Sequence, residues 1–229
     1  MTLLILLRHG ESMWNKKNLF TGWVDVPLSE KGIIEAIEAG KKIQHLPIDL
    51  IFSSTLVRGL MTAMLAMAYH KSGKTPVVMH EEGKLKDWAG VYSDKMKEEI
   101  IPVLCADELN ERMYGNLQGL NKEETRQKFG ADQVKLWRRS YNVAPPDGES
   151  LEMTAKRSIP YFHSQIVPYL EQGKNIFVSA HGNSLRSIMK SLDHLTDDEV
   201  VNLELVTGEP ILYTYEKKQF TKTSLERFS

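Results

Sequence analysis

Two histidines in this sequence share one local setting, at the end of an apolar run and directly before a glycine. His9 follows the run 2–7, and His181 comes shortly after the run 175–178. A neutral imidazole nitrogen is a nucleophile near pH 7 when the second ring nitrogen is held as a hydrogen-bond donor. The pair therefore predicts group transfer in which His9 is the nucleophile and His181 completes the pocket.

Two arginines indicate which group is transferred. Arg8 precedes His9, and Arg58 follows the second apolar run, 49–52. Guanidinium groups match phosphate oxygens, and each charged hydrogen bond contributes roughly 1.5–3 kcal/mol net. A single histidine at a strand end is more often structural, and an arginine in the first turn of a helix is usually solvated. The combination nevertheless favours a phosphoryl group carried on His9. The remaining histidines lack this setting and are interpreted as surface or core residues: His45, His70, His80, His163 and His194.

A metal site is the alternative interpretation of the two histidines. It needs a third histidine or carboxylate at ligand spacing, and Glu11 is the nearby carboxylate that could serve. Arg8 and Arg58 would repel a cation. The sequence therefore predicts phosphoryl chemistry without a metal.

The elements that must position these residues alternate along the chain. The continuous apolar runs 2–7, 49–52 and 175–178 are typical of strands buried on both faces of a parallel sheet. Helical spacing follows the capping residue Ser29 and recurs over 56–67. This order predicts an α/β fold with a mostly parallel sheet and helices on both faces, whose ligand site lies at the carboxyl ends of the strands.

The last third of the chain predicts three further elements. Residues 150–172 are expected to form a helix that Pro160 and Pro168 bend or split. Thr196, with a glutamate three residues later, has a capping-box pattern, and 211–215 is expected to be a late strand.

Composition limits the class of protein. The 229 residues, 41% hydrophobic and 26% charged, predict one globular domain over 1–229. The formal net charge of −1 offers no overall field for nucleic acid or membrane. Cys105 is the only cysteine, which excludes an intramolecular disulfide and suits a reducing compartment. The opening apolar run is too short to span a bilayer, so we expect a cytoplasmic protein.

Longer motifs resemble a known family. The match to the histidine phosphatase superfamily, and within it to the cofactor-dependent phosphoglycerate mutases, is carried by Leu7–Ser12, Trp14-Asn15, Thr21–Trp23, Leu109–Gly115, Leu117–Lys122, Trp137–Arg139 and Ser179–Arg186. These motifs span most of the chain.

The resemblance implies a phosphohistidine at His9, primed by 2,3-bisphosphoglycerate, and interconversion of 3-phosphoglycerate with 2-phosphoglycerate. It also implies that His181, Arg8 and Arg58 stabilise the transferred phosphoryl group, and that Glu111 is the proton donor and acceptor. Family positions that hold substrate phosphate and carboxylate match Asn15, Thr21, Gly22, Tyr114, Lys122, Arg138, Arg139 and Asn183, and the same loops contain Gly10, Glu11, Ser12, Arg112, Met113 and Gly182. The expected partners are small-molecule phosphoglycerates, with a homo-oligomer as an open alternative.

Two segments depart from the common form of the family. Residues 75–108 are longer and charged, and are expected to form an inserted surface excursion. Residues 140–150 are shorter than the corresponding loop. A more open pocket would admit water to the phosphohistidine and favour a phosphatase, or a bisphosphoglycerate synthase, on the same scaffold. A catalytically silent protein that binds phosphorylated ligands is a third hypothesis, which His9, Glu111 and His181 argue against.

Overall fold

The computed structural model describes residues 1–228, whose seven strands form one sheet. The strands are β1 (Thr2–Arg8), β2 (Leu50–Ser54), β3 (Thr75–Val78), β4 (Ile100–Ala106), β5 (Ile176–Ala180), β6 (Pro210–Glu216) and β7 (Gln219–Thr223). Their order across the sheet is β3-β4-β2-β5-β1-β6-β7. The first five in this order pair in parallel, and β6 and β7 continue the sheet antiparallel. The sheet is therefore mostly parallel, as the sequence predicts.

Helices fill the connections between the strands. They are α1 (Met13–Lys16), α2 (Glu30–Ile43), α3 (Val57–Met67), α4 (Gly83–Trp88), α5 (Asp94–Glu98), α6 (Lys122–Phe129), α7 (Ala131–Arg139), α8 (Leu151–Tyr161), α9 (Val167–Glu171), α10 (Gly182–Leu192) and α11 (Asp197–Asn202). Short 3₁₀ turns cover Asp107–Leu109, Gly115–Leu117 and Leu225–Phe228, and a π-helical segment, Phe162–Ile166, joins α8 to α9.

Alternate residues of β1 enter two separate hydrophobic cores. Leu4 and Leu6 pack on the side that holds α8 and α10, whereas Leu3 and Ile5 pack on the side of α2 and α3. Successive side chains of a strand point to opposite faces, so a continuous apolar run requires cover on both. The prediction of helices on both faces is confirmed.

Local signals for helix ends and breaks are also observed. The Ser29 hydroxyl caps α2 by accepting from the backbone N–H of Gly32, and Thr196 forms a capping box at the start of α11. Pro160 lies in the last turn of α8, directly before the π-helical segment that separates α8 from α9. The helical stretch predicted over 150–172 is therefore divided, as its two prolines indicate.

The segment 75–108 contributes more to the sheet than the sequence suggests. Its ends are β3 and β4, and Ile101 and Val103 of β4 are fully buried. The expectation of a surface excursion over the whole segment is therefore wrong, and the exposed part narrows to 79–99. β3 and β4 are parallel neighbours, and a parallel pair requires a crossover of a dozen or more residues. The segment therefore contains both paired strands as well as the exposed crossover between them.

Within residues 1–228, the structure contains no helix with the length and apolar character needed to cross a membrane.

Candidate active site

His9 lies directly after β1, and the structure specifies which of its nitrogens is free to react. Its backbone N–H donates to the carbonyl of Ala180 at 3.0 Å. Nδ1 lies 2.6 Å from the carbonyl oxygen of Gly10. A carbonyl only accepts hydrogen bonds, so Nδ1 must carry the proton and Nε2 keeps its lone pair. His9 therefore has the tautomer that a nucleophilic imidazole requires.

His181 is brought to His9 by strand pairing. β1 and β5 are parallel neighbours with Arg8 opposite Ala180, so the residue after each strand reaches the same edge of the sheet. The two imidazole rings lie 4.8 Å apart between centroids. Nε2 of His181 is 2.7 Å from the hydroxyl of Ser54, the last residue of β2, while Nδ1 is buried and has no hydrogen-bond partner among residues 1–228.

Both imidazoles are held neutral. Burial lowers the pKa of His9 to about 3, helped by the positive charges of Arg58 and Arg8. The pKa of His181 is lowered well below its usual value, mainly by burial and then by Arg58 and His9. Desolvation and neighbouring cations both penalise an imidazolium. At neutral pH, His9 is therefore available as a nucleophile without first losing a proton.

Arg8 and Arg58 flank the two histidines, and some of the N–H groups of each guanidinium donate to backbone carbonyls. Arg8 Nη1 donates to the carbonyl of Leu205 at 2.6 Å. Arg58 donates to the carbonyls of Gly22 and Val24 at 2.7 and 3.0 Å. The Nε atoms of both arginines are buried and make no hydrogen bond to any residue that the structure describes. These N–H groups can donate hydrogen bonds to the oxygens of an anion.

Glu111 presents an ionised carboxylate to the same space. Its Oε1 accepts from the backbone N–H of Arg112 at 2.8 Å and from the Asn183 side-chain amide at 2.8 Å. Burial raises the pKa of Glu111, but the hydrogen bonds from Arg112 and Asn183 and the charges of Arg8 and Arg58 outweigh it and leave the pKa lowered. The carboxylate is therefore ready to accept a proton.

A polar cavity of about 170 Å³ is lined by His9, Arg8, Arg58 and Glu111, whereas His181 lies outside its lining. The predicted residues that line it are Arg8, His9, Asn15, Thr21, Gly22, Arg58, Glu111, Tyr114, Lys122, Arg138, Arg139, Gly182 and Asn183. Glu111 is the one acidic residue in this lining, against five arginines and lysines of that set. Such a lining suits a ligand with several negative charges.

Five predicted binding residues lie outside this lining: Gly10, Glu11, Ser12, Arg112 and Met113. Glu11 turns towards α2, where its carboxylate accepts from the Ser29 hydroxyl. Ser12 caps α1. Arg112 is buried beneath Tyr114, with its guanidinium carbon 4.7 Å from the ring centroid. These side chains support the loops that carry the lining residues.

The cavity lining also contains three residues for which the sequence predicts no role, Leu19, Phe20 and Arg186. Arg186 lies one turn after Asn183 on α10, and its Nη1 donates to the Asn183 side-chain oxygen at 3.2 Å. Helical spacing from Asn183 could therefore have identified it. Leu19 and Phe20 carry no polar group that would have marked them.

His9, Glu111 and His181 also form the kind of cluster that could hold a metal. One potential ligand atom from each lies within 4.8 Å of the other two. Two neutral imidazoles and a carboxylate are a suitable donor set. Arg8 and Arg58 beside them oppose a divalent cation, and the prediction of a metal-free site stays a prediction.

Comparison with known proteins agrees with the fold. The family model described as histidine phosphatase superfamily (branch 1) matches residues 4–102 and 89–227. A solved structure, YhfR of Bacillus stearothermophilus, superposes with a TM-score of 0.75 at 23% identity, over 97% of this chain and 95% of that one. The fold and the paired histidines thus define a histidine phosphatase superfamily protein.

Curated relatives show which family within this superfamily the chain belongs to. The 2,3-bisphosphoglycerate-dependent phosphoglycerate mutase of Protochlamydia amoebophila is 61% identical over 97% of this chain and 99% of its own length. The enzyme with the same name from Chlamydia muridarum is 59% identical over 98% and 99%. The chain belongs to the family of 2,3-bisphosphoglycerate-dependent phosphoglycerate mutases.

Proposed function

We propose that this chain is an isomerase that interconverts 3-phosphoglycerate and 2-phosphoglycerate through a phosphorylated His9. The observation that carries the proposal is the pairing of a neutral His9 with an ionised Glu111 in one cationic cavity. A nucleophile and a proton acceptor are both needed to move a phosphoryl group between two hydroxyls of one substrate.

The phosphoryl steps follow from the geometry at His9. A hydroxyl of the bound phosphoglycerate attacks phosphorus, so that an O–P bond forms and the N–P bond to His9 Nε2 breaks. The phosphoryl group on the other oxygen then returns to Nε2 by the reverse exchange. Throughout, the phosphoryl oxygens would be stabilised by the unpaired N–H groups of Arg8 and Arg58, and by His181.

Glu111 balances the protons of these two steps. Its carboxylate takes the proton of the attacking hydroxyl. In the second step it returns the proton to the substrate oxygen whose phosphoryl group has moved to His9. General acid–base catalysis of this kind typically contributes about 10²–10⁴-fold. The hydrogen bonds from Arg112 and Asn183 keep Oε1 in place, so Oε2 is the oxygen we assign to proton transfer.

The remaining lining residues would bind the substrate's own phosphate and carboxylate. We assign this role to Asn15, Thr21, Gly22, Tyr114, Lys122, Arg138, Arg139 and Asn183, together with Arg186. Burial lowers the pKa of Lys122, and the positive charge of Arg138 lowers it further. A bound anion would relieve this repulsion, which gives the cluster of cations a specific purpose.

The residues present fit 2,3-bisphosphoglycerate as the phosphoryl primer. Arg8, Arg58, Thr21 and His181, all near the cavity, have buried polar atoms with no hydrogen-bond partner in the described part of the chain. Bound there, 2,3-bisphosphoglycerate would supply the phosphoryl group that first loads His9. The arginines and Lys122 would hold its phosphates, and no metal is assigned to the site.

We also infer that the partners are small phosphoglycerates rather than nucleic acid, since a net charge of −1 offers no general attraction for polyanions. Assembly into a homo-oligomer and a cytoplasmic location stay predictions. Light scattering of the purified chain and imaging of a tagged copy would measure them directly.

One assay tests the function. The chain is incubated with 3-phosphoglycerate, with and without 2,3-bisphosphoglycerate and with and without a chelator, while 2-phosphoglycerate and free phosphate are followed. We expect 2-phosphoglycerate as the main product, stimulation by the primer and no loss on chelation. Dominant release of free phosphate would show a phosphatase instead, and loss on chelation would contradict the arginine-based scheme.

A labelling experiment tests the carrier. Radiolabelled 2,3-bisphosphoglycerate should transfer its phosphoryl label to the wild-type chain, and the label should be acid-labile, as expected of phosphohistidine. His9→Ala should carry no label. Labelling of that variant would refute His9 as the carrier.

A further inference from the structure

Arg157 on α8 forms an ion pair with Glu149 that the reaction scheme above does not use. Nε and Nη2 of Arg157 lie 2.9 Å from the two carboxylate oxygens of Glu149, in a bidentate geometry. Both side chains are only 17% exposed. Neither residue lines the cavity that contains His9. A largely buried charge pair needs further hydrogen bonds to compensate for its desolvation, and these partners indicate its role.

The other N–H groups of Arg157 face the backbone carbonyls of one short stretch of chain. Nη1 is within hydrogen-bond distance of the carbonyls of Asp107, Glu108 and Asn110, at 3.2, 2.7 and 3.0 Å. Nη2 donates to the carbonyl of Glu111 at 2.9 Å. One guanidinium therefore gathers four carbonyls from the five residues that end at Glu111. Only the planar fork of arginine can do this, since lysine offers a single point charge.

Glu149 holds the other side of the same turn. Its Oε2 accepts from the backbone N–H of Met113 at 2.9 Å, and its own N–H donates to the Met113 carbonyl at 2.8 Å. The ion pair thus fixes the residues on both sides of Arg112. The Arg112 N–H is the group that donates to the Glu111 carboxylate, so its direction depends on this anchoring.

Trp23 adds a contact on the same carbonyl. Its ring lies over the Arg157 guanidinium at 5.4 Å, and its Nε1–H donates to the Glu111 carbonyl at 2.5 Å. Arg58 donates to the carbonyl of the neighbouring Gly22. The loop that contains Gly22 and Trp23 contributes to the cavity wall. It is therefore joined at Arg157 to the turn that carries Glu111.

We propose that the Glu149–Arg157 ion pair is a positioning device for Glu111, which sets the carboxylate against the reacting oxygen from outside the cavity. The inference rests on the proposed role of Glu111 in proton transfer. Displacement of a catalytic group by about 1 Å can cost about 10²-fold in rate, although no contact with substrate is lost.

The first test compares leaving groups. A sugar-acid alkoxide needs a proton as it leaves, whereas p-nitrophenolate leaves as a stable anion. We therefore expect Arg157→Lys to lower kcat with 3-phosphoglycerate by about tenfold to a hundredfold, within the range for acid–base catalysis. The change in KM should stay within about threefold. Phosphorylation of His9 by p-nitrophenyl phosphate, followed as a burst of p-nitrophenol, should change less than about threefold. Equal losses with both substrates would overturn the proposal.

Lys156→Gln is the matched control, because Lys156 is the exposed neighbour of Arg157 on α8 and forms a surface ion pair with Glu152. It should match wild type with both substrates. If Arg157→Lys does not fold, Glu149→Gln provides the second variant, since it removes the charge of the pair while keeping the side-chain shape. It should show the same selective loss with 3-phosphoglycerate.

The second test asks whether Arg157 acts through Glu111. In a Glu111→Gln background the carboxylate is already absent, so adding Arg157→Lys should lower the residual rate by less than about twofold. If the double variant instead loses rate by the product of the two single-variant factors, Arg157 has an independent, structural effect.

The failure of the proposed function can be told apart from the failure of this proposal. If wild type releases phosphate from 3-phosphoglycerate instead of forming 2-phosphoglycerate, the proposed function fails. The rates of phosphate release of the single and double variants, relative to wild type, then still decide the role of Arg157.

Discussion

His9 shows how a single residue is made reactive by its surroundings. Gly10 holds the Nδ1 proton, while burial and the charges of Arg58 and Arg8 prevent protonation of Nε2. A neutral, desolvated imidazole is a better nucleophile than one that is partly protonated at physiological pH. The same surroundings have a cost in stability that depends on pH.

The sign of this dependence follows from the two states of the chain. The pKa of His9 is about 3 in the folded protein, against 6.5 as the ordinary value. Between these values the unfolded chain binds more protons, so the free energy of unfolding falls as pH falls from 7 towards 4. Because His9→Asn removes this group, its free energy of unfolding should fall less steeply over that range. Urea denaturation at pH 7, 6 and 5 measures the two slopes.

His194→Asn is the matched control for this measurement. His194 is exposed, and its backbone has a φ of 54°, a conformation that asparagine tolerates well. The control should keep the wild-type slope. A wild-type slope in His9→Asn as well would contradict the assignment of the pH dependence to His9.

At the scale of elements, the site depends on a close approach between the loop after β1 and the start of α2. A Cβ atom on Gly10 would lie 2.2 Å from the carbonyl oxygen of Gly32, and one on Gly32 would lie 2.0 Å from the carbonyl oxygen of Glu11. Both contacts are with backbone, which cannot move aside as a side chain can. The two glycines therefore allow α2 to support the loop that carries His9.

Gly10→Ala should therefore destabilise the fold by at least about 2 kcal/mol, as expected for overpacking against a rigid neighbour. The displaced loop should also lower kcat/KM by more than about tenfold. Urea denaturation and the mutase assay measure these effects. Gly90→Ala is the control, since its nearest atoms belong to the exposed ring of Tyr92, which can shift. Unchanged stability and activity in Gly10→Ala would disprove this account.

At the scale of the whole molecule, one sheet connects the first strand of the chain with the last. β1 lies near the middle, between β5 and β6, so residues far apart in the sequence must meet before the site exists. The two hydrophobic cores share β1 and lie on opposite faces of the sheet. This arrangement supports the expectation that the chain unfolds as one unit.

The single-domain prediction can be tested by unfolding. Far-UV circular dichroism and tryptophan fluorescence should give the same midpoint in urea, because two-state unfolding makes all probes coincide. Trp88→Phe should be used beside wild type, because Trp88 is 76% exposed in the segment 79–99 and could report local changes there. Two separate midpoints in that variant would show that the chain has more than one cooperative unit.

Much of the fold could be predicted because its signals are local. Continuous apolar runs marked β1, β2 and β5, and Ser29 and Thr196 marked the starts of two helices. β3 and β4 were missed, because β3 is only four residues long and a proline, Pro76 or Pro102, interrupts each strand. The pairing of β4 with β2 and with β3 depends on the assembled sheet, which a local sequence pattern does not show.

The same division applies to the two histidines. The sequence by itself determined that His9 and His181 each stand at the end of a buried strand beside a glycine, because strand burial and glycine are local properties. Only the tertiary structure decided that β1 and β5 are neighbours, that Gly10 holds Nδ1 of His9, and that Arg157 anchors the turn carrying Glu111. These features depend on distances between residues remote in sequence, which are set when packing brings the strands and helices together.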